Sequence, residues 1–270
     1  MANTIYWGQA AVENTNGFGK SATNNTIDFG EVCANSLSPE TNLTGTGATP
    51  SFSNTQSIEL DGMDAFVICG NDTSLQPSNF TICLWVKTDN NNSNRTFIHN
   101  GAADFGSSRM GFLVQQSFGN YYFRIGNGTA NTTVFNGGLI VDTWQFLTLS
   151  YDGVNMKSYL DAVLQDTAAV SNITYGTNAT WNPFYIGRTS GDSQYASGNI
   201  DEVSLFNSEL SATDITSIYN SGVPNDISSL SPVSWWRFEE ISGLTAIDSG
   251  TGGNDGVLDN TVVRSTDVPT

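Results

Sequence analysis

The sequence predicts an all-β sandwich of the jelly-roll kind with one short helix, and two patterns support this prediction. From residue 57 to about 207, short apolar runs recur between clusters of Asn, Gly, Asp and Ser, as strands and turns do in a β-sandwich. Within TICLWVKT, the side chains of Ile82, Leu84 and Val86 fall on one strand face. The chain of 270 residues is long enough to bury a large core.

The runs predicted as strands are short and end at turn-forming residues. In chain order they are SIEL, DAFVICG, FTICLWVKT, RTFIHNG, MGFLVQQ, NYYFRIG, TVFNG, WQFLTLSYD, MKSYLDAVLQ, PFYIGR and NIDEVSLFN. The segment from SPVSWWRFEE to the end is expected to form a strand, a turn region rich in Gly and Asp, and a last strand or extended tail.

One helix is predicted in SATDITSIYNSG. Ser211 is a suitable N-cap residue, and Asp214 follows three positions later, as in a capping box. The side chains of Ile215, Ile218 and Tyr219 form one apolar stripe at helical spacing. The helix is therefore expected to pack on the sandwich through this stripe.

The first 35 residues carry a repeated unit of Asn-Thr followed by an aromatic residue and Gly. Its aromatic positions are Trp7, Phe18 and Phe29, eleven residues apart. Each unit is too short to bury a core alone, so such repeats pack on each other or on a partner. We predict a β arm for attachment or assembly over residues 1–35 and a linker over residues 36–56, ahead of a domain at residues 57–270.

Charge and cysteine content exclude several classes of partner. The net charge is −17 with only 9 Lys and Arg residues, which argues against nucleic acid and anionic membrane surfaces. No run reaches the roughly 20 apolar residues of a membrane span. Cys33, Cys69 and Cys83 form no Cys-x-x-Cys pair, so zinc is not expected. The odd count fits either free buried thiols or one disulfide and one thiol; Cys69 and Cys83 stand in apolar runs, which favours buried thiols.

The N-terminus lacks the basic and apolar regions of a secretory signal. We therefore expect folding in a cytoplasm, with assembly into a virus particle as one route out of the cell.

The order of motifs from residue 57 to 222 resembles a known family. SIELDGMDAFV, FTICLWVKT, WQFLTLSYDG, MKSYLDAVLQ, FYIGR, GNIDEVSLFN and LSATDITSIYNSG follow one another as in laminin-G-like, concanavalin A-like domains. The resemblance implies a concanavalin A-like jelly-roll sandwich that serves in adhesion and binds glycans. It implies a ligand less strongly than a fold, because one fold hosts many functions.

The C-terminal segment WWRFEEISGLTAIDSGTGGNDGVL looks like the part that normally begins such a domain. Either it completes its own sandwich from the C-terminal side or it completes a neighbouring protomer. We favour the first, because domain termini usually lie close together.

The combination of the N-terminal repeat, the jelly-roll region and SPVSWWRFEE…STDVP resembles virion proteins of marine tailed bacteriophages. The resemblance implies a capsid decoration or a tail or fibre component, located in the virion. Residues 1–35 would then pair with capsid or tail proteins or with sister subunits, and a homo-oligomer is compatible with this arrangement. The alternative is that these strands extend the sandwich.

The residues that a hydrolase would need are missing from the sequence. Concanavalin A-like glucanases need two carboxylates about 5.5 Å apart when retaining, which on one strand face gives Glu-x-Asp-x-(x)-Glu. In NIDEVSLF, Asp201 and Glu202 are adjacent and are expected to point to opposite faces. The single histidine, His99, has no Gly-x-Ser-x-Gly partner motif and is expected to be structural. We predict no enzymatic activity; a glycan hydrolase and a structural cement protein without a ligand are the alternatives.

Calcium is the one metal that the sequence favours, because laminin-G-like modules often hold it at the sandwich rim. It binds six to eight oxygen atoms. LDGMD supplies Asp61 and Asp64, and GNIDE supplies Asn199 and Asp201. The resemblance implies that these segments meet; otherwise Asp61 is a turn residue and Asp201 caps a strand.

Sugar binding usually uses exposed aromatic rings beside Asn or Asp acceptors. The rings predicted to lie in loops and contact a host-surface or environmental glycan are Tyr121, Tyr122, Trp181 and Tyr195. Other rings fit the strand pattern and are expected in the core: Trp85, Trp144, Phe146 and Phe206.

Overall fold

A computed structural model of the chain describes residues 52–90, 93–101, 110–176, 183–189, 194–259 and 261–270. These residues form a sandwich of two antiparallel sheets with one α-helix, so the predicted fold class is confirmed. Phe52–Thr270 is one compact unit. The predicted arm, with Trp7, Phe18 and Phe29, lies outside the described residues.

The first sheet has eight strands. Seven run in the order β10-β9-β8-β3-β12-β1-β16, and β13 pairs with β12 beyond the end of β1. Their bounds are β1 Ser57–Asp61, β3 Phe80–Thr88, β8 Gln145–Tyr151, β9 Asn155–Leu160, β10 Val163–Ala169, β12 Ser197–Phe206, β13 Ser234–Trp236 and β16 Val263–Ser265.

The second sheet also has eight strands, in the order β14-β15-β2-β11-β4-β5-β6-β7. Their bounds are β2 Val67–Ile68, β4 Arg95–Asn100, β5 Met110–Ser117, β6 Asn120–Asn127, β7 Asn131–Gly137, β11 Phe184–Ile186, β14 Thr245–Ala246 and β15 Gly256–Leu258.

The two sheets enclose the main core, and the first sheet carries a second core on its outer face. Strand β3 is buried at every position except Lys87, and β8 is buried throughout. Their outward side chains pack under the helix α1 (Ala212–Tyr219), which contributes Ile215 and Ile218. Because α1 covers this face, strands of the first sheet are apolar on both sides.

The helix begins as the sequence predicts. Ser211 Oγ accepts from the Asp214 backbone N–H, and the Asp214 carboxylate accepts from the Ser211 N–H, so the capping box is complete. The helix ends at Asn220, whose left-handed backbone (φ 45°) is typical of a C-terminal cap. In the described part of the chain, three short 3-10 helices lie at Thr73–Leu75, Asn220–Gly222 and Ser228–Leu230.

The C-terminal segment completes its own sandwich. Strands β13 and β16 join the first sheet, and β14 and β15 extend the second. Asp248 holds the turn between β14 and β15, because its carboxylate accepts from the backbone N–H groups of Trp235, Gly250 and Asn254 at 2.7–2.8 Å. The segment TAIDSGTGGNDG resembles a domain-opening motif. Its Asp248 closes the turn in this structure.

Cys69 and Cys83 are free, buried thiols, as predicted. Burial raises the pKa of Cys83 to about 12, so this thiol stays protonated. Among the described residues, no helix combines the length and apolar character that crossing a membrane requires.

Candidate functional site

The four residues predicted to bind calcium do not come together. Asp61 ends β1 in register with Ser197, whereas Asp201 lies four positions further along β12, about 13 Å away at strand spacing. Asn199 lies between them and donates to Ser57 Oγ at 3.3 Å. Asp64 is exposed beyond the end of β1.

Asp61 uses its carboxylate to hold a turn. Its Oδ1 accepts from the backbone N–H groups of Met63, Asp64 and Ala65 at 2.9–3.1 Å. Burial opposes the charge, but these hydrogen bonds outweigh burial and lower the pKa of Asp61. The residues that the structure describes contain no group of three or more His, Cys, Asp or Glu side chains placed to hold a metal.

The prediction that Asp201 and Glu202 point to opposite faces is wrong. A β-bulge in β12 shifts the register after Asp201, and Glu202 takes a left-handed backbone (φ 48°). Both carboxylates therefore lie on the outer face of the first sheet. Asp201 accepts from Asn54 Nδ2 at 3.0 Å, and Glu202 accepts from Trp235 Nε1 and from Arg237 Nε.

This acid pair is sealed from solvent, with exposures of 0% for Asp201 and 6% for Glu202. Burial and then the Glu202 charge raise the pKa of Asp201 well above its usual value. Burial raises the pKa of Glu202 to about 7, against the opposing effect of Arg237. The adjoining cavity of about 10 Å³ has room for about one water molecule. Glu202 lines it with Trp85, Ile218, Pro224, Asn225 and Ile227.

Residues 52–56, the end of the predicted linker, pack over this acid pair. Phe52 stacks on Trp235 with the ring planes 4° apart, and the Arg237 guanidinium lies 4.4 Å from the Phe52 ring centre. Two backbone N–H groups of the segment donate to the Glu239 carboxylate at 2.8 and 3.1 Å. The segment and α1 together cover the central part of the outer face of the first sheet.

Among the described residues, no helix lies on the outer face of the second sheet, although side chains at its centre, such as Leu113, are buried. One row of side chains crosses it from β11 to β7 through Tyr185, His99, Leu113, Arg124 and Thr133, which stand in register. His99 is buried. Burial, and then the charge of a nearby arginine, lower the pKa of His99 to about 4, so its imidazole is neutral, which fits the predicted structural role.

At one end of this face, three aromatic rings surround Arg188. Its guanidinium carbon lies 4.7 Å from the ring centre of Phe66 and 5.2 Å from those of Tyr185 and Tyr195, within the range of cation–π contacts. Arg188 Nε donates to Thr189 O at 2.7 Å. We call Phe66, Tyr185, Arg188 and Tyr195 the arginine cluster; all four side chains are partly exposed.

Three strands away, a second aromatic group stands on the same face. Tyr122 and Phe135 meet edge to face with ring centres 4.6 Å apart, and Phe135 is 51% exposed. Arg124 lies over the Tyr122 ring at 5.8 Å, and burial lowers the pKa of its guanidinium. We call Tyr122, Arg124 and Phe135 the tyrosine cluster; it is about 14 Å from the arginine cluster at the usual strand spacing.

The predicted sugar-binding residues therefore separate into three groups. Tyr122 and Tyr195 lie, partly exposed, on the outer face of the second sheet. Tyr121 is fully buried in the main core, where its hydroxyl donates to Gln145 Oε1 at 2.9 Å, so its predicted exposure is wrong. Trp181 lies outside the described residues. Of the rings predicted in the core, Trp85, Phe146 and Phe206 are buried, and Trp144 is half-buried.

Sequence reasoning missed Phe66, Tyr185, Arg188 and Phe135. Tyr185 and Arg188 stand close together in PFYIGR, but Phe66 and Tyr195 reach them only through pairings distant in sequence. Counting alternate positions in NYYFRIG would have placed Tyr121 with Phe123 in the core and Tyr122 outside.

The chain belongs to the Laminin_G_3 family of the concanavalin A-like lectin/glucanases superfamily, whose sequence pattern matches residues 61–216. The predicted laminin-G-like resemblance is thus confirmed. No protein of curated function matches the sequence.

Solved structures of lectin-like proteins share the fold. A candidate carbohydrate binding protein from Bacteroides ovatus superposes with a TM-score of 0.59 at 15% identity, over 81% of this chain and 62% of that protein. The sialidase CBM40 from Ruminococcus gnavus, bound to α2,3 sialyllactose, gives 0.52 at 16% identity, over 62% of this chain and 100% of its own. A heptameric SAP-like pentraxin from Limulus polyphemus gives 0.51 at 13% identity, over 78% and 95%.

Proposed function

We propose that the protein is a non-enzymatic glycan-binding module and that the glycan lies on the outer face of the second sheet. The arrangement that carries this proposal is the arginine cluster and the tyrosine cluster, two groups of partly exposed side chains on the same face of the second sheet. Partly exposed rings offer flat apolar surfaces to sugar rings, while guanidinium and phenol groups supply hydrogen bonds.

The comparisons support the ligand class. The Ruminococcus gnavus module is described as bound to a sialylated sugar, and the Bacteroides ovatus protein is described as a candidate for carbohydrate binding. Because the identities are 15–16%, this support concerns the fold and does not extend to the sugar or its subsite.

The buried acid pair supports a non-enzymatic role. A glycosidase presents two carboxylates to the scissile bond, with access for a sugar ring. Asp201 and Glu202 are covered by residues 52–56, and their cavity of about 10 Å³ cannot admit one. Incubation of the full chain with oligosaccharides, followed by mass analysis, is expected to release no shorter products; steady release would favour the hydrolase alternative.

The test of binding is a glycan array probed with the full chain and two variants. We expect binding to at least one glycan and a loss of about tenfold in affinity for Tyr122→Ala, equivalent to about 1.4 kcal/mol. Phe118→Ala is the matched control, because Phe118 is 72% exposed at the β5–β6 turn and lies outside both clusters. Equal losses in the two variants would place the glycan elsewhere, and no binding to any glycan would favour a structural cement role.

The finer part of the proposal is that the module is displayed on a bacteriophage virion, as a capsid decoration or a tail or fibre component. Its support is the combination of the N-terminal repeat, the laminin-G-like region and the SPVSWWRFEE…STDVP tail. Deletion of residues 1–35 should leave a folded protein that no longer enters particles. Unchanged incorporation would remove the attachment role of the arm.

A further inference from the structure

The described cations of the two sheets differ in whether they form ion pairs. Four of them form ion pairs with carboxylates: Lys87 with Asp267, Lys157 with Glu209, Arg237 with Glu202, and Arg264 with Glu240. Arg95, Arg124 and Arg188 form none with the carboxylates that the structure describes, and all three belong to the second sheet or the segment after β11. In a chain of net charge −17, it is unexpected that these three cations have no acid partner among the described residues.

The uses of these three arginines differ. Arg95 Nη1 donates to the backbone oxygens of Gly62 and Tyr195 at 2.6 and 3.1 Å, which makes it a structural residue. Arg124 is half-buried against the Tyr122 ring. Arg188 is partly exposed, and its guanidinium contacts three aromatic rings.

Among the described residues, the contacts of the Arg188 guanidinium are to three aromatic rings and, through Nε, to one backbone oxygen. Rings at 4.7–5.2 Å hold the group, and Nε is committed to Thr189 O. The two Nη atoms form a fork that no acceptor among the described residues occupies. A planar carboxylate matches such a fork with two parallel N–H···O bonds, and a guanidinium that is already positioned loses less entropy when it binds.

We propose that Arg188 is the anion-recognising subsite of the glycan face and that the ligand is an acidic sugar whose carboxylate binds the two Nη atoms end-on. This inference rests on the proposed glycan-binding function and adds the chemical class of the sugar. The rings of Phe66, Tyr185 and Tyr195 hold the fork, and the local positive charge offsets the repulsion of an anion by a strongly acidic chain.

The test uses acidic oligosaccharides that carry hexuronic acid residues, printed on one array as free carboxylates and as their methyl esters. Neutral and sulfated oligosaccharides are included. The esters keep the sugar and remove only the charge. The proteins are the full chain and the variants Arg188→Gln, Arg188→Lys and Lys157→Gln. The last is a matched control, because it also removes one cation but lies on β9 of the other sheet. Thermal unfolding of each variant checks that it is folded.

We expect the wild-type chain to bind the free acids. Its affinity for the methyl esters should be at least about tenfold lower. Arg188→Gln should lower the affinity for the free acids by about 10- to 100-fold, the range of charge-assisted hydrogen bonds. Lys157→Gln should lower it by less than about threefold. Arg188→Lys should fall between them, because it keeps the charge and loses the fork.

Equal binding of acids and esters, a preference for sulfated sugars, or an Arg188→Gln variant that binds as the wild type would overturn the inference and leave glycan binding intact. Binding to neutral sugars alone would also overturn the inference and leave glycan binding intact. Absence of binding to every sugar on the array would remove the proposed function together with it.

Discussion

The buried acid pair makes a quantitative prediction about pH. Glu202 has a pKa of about 7 in the folded protein, against a usual value of 4.5. A carboxyl group with a raised folded pKa binds its proton more tightly in the folded state, so its contribution is fully favourable below about pH 4.5 and is lost as the pH rises towards 7. At about 1.4 kcal/mol for each tenfold change in proton affinity, the loss is about 3 kcal/mol.

Glu202→Gln removes this titration and keeps a side chain of the same shape. The free energy of unfolding of wild type minus that of Glu202→Gln should therefore fall by about 3 kcal/mol between pH 4 and pH 8. The difference between the proteins is the informative quantity. In both proteins, buried His99 with a pKa of about 4 makes stability rise with pH up to about 6.5, which masks part of the effect.

The assay is urea unfolding of both proteins at pH 4, 5, 6, 7 and 8, followed by tryptophan fluorescence. Glu59→Gln is the matched control, because it removes one carboxylate that is exposed on the neighbouring strand β1 instead of buried. A difference between wild type and Glu202→Gln that stays constant within about 0.5 kcal/mol would refute the assignment of Glu202 as a buried, weakly acidic group.

Three further predictions concern single contacts. Ser211→Ala should lower the free energy of unfolding by about 1 kcal/mol, because the capping box is lost; no change in urea would contradict the cap. Asp248→Ala should lower the free energy of unfolding by about 3 kcal/mol, since it leaves the buried N–H groups of Trp235 and Asn254 without an acceptor. Asp248→Asn should recover part of this free energy. An equal loss in both variants would show that the missing acceptor is not the cause. Calcium added to EDTA-treated protein should move the Tm by less than about 1 °C, because the predicted ligands lie apart; a larger rise that disappears in Asp61→Asn would restore that site.

The sequence predicts most of the fold because local patterns decide it. Alternation in TICLWVKT and the capping box at Ser211 depend on neighbours within a few residues, and both are found in the structure. The family resemblance of residues 57–222 overlaps the matched region 61–216 almost completely. Self-completion by the tail also followed from a general property of domains, the closeness of their termini.

The site was less accessible from sequence, for physical reasons. The direction of the Glu202 side chain depends on a bulge, and one extra residue reverses every assignment made by alternation. The arginine cluster depends on the pairing of β2 with β11 and on the bridge between Thr96 and Tyr195. These contacts join residues distant in sequence, so no local pattern predicts them. Tyr121 is a different kind of error, because NYYFRIG itself indicates that it faces the core.

The central claim is that a glycan lies on the outer face of the second sheet. The most direct measurement is hydroxyl-radical footprinting of the full chain with and without the strongest glycan from the array, read by mass spectrometry. We expect protection of Tyr122, Tyr185 and Tyr195 and none of Phe118. Protection of Phe118, or of the first-sheet strand β10 with the second-sheet tyrosines unchanged, would contradict the account.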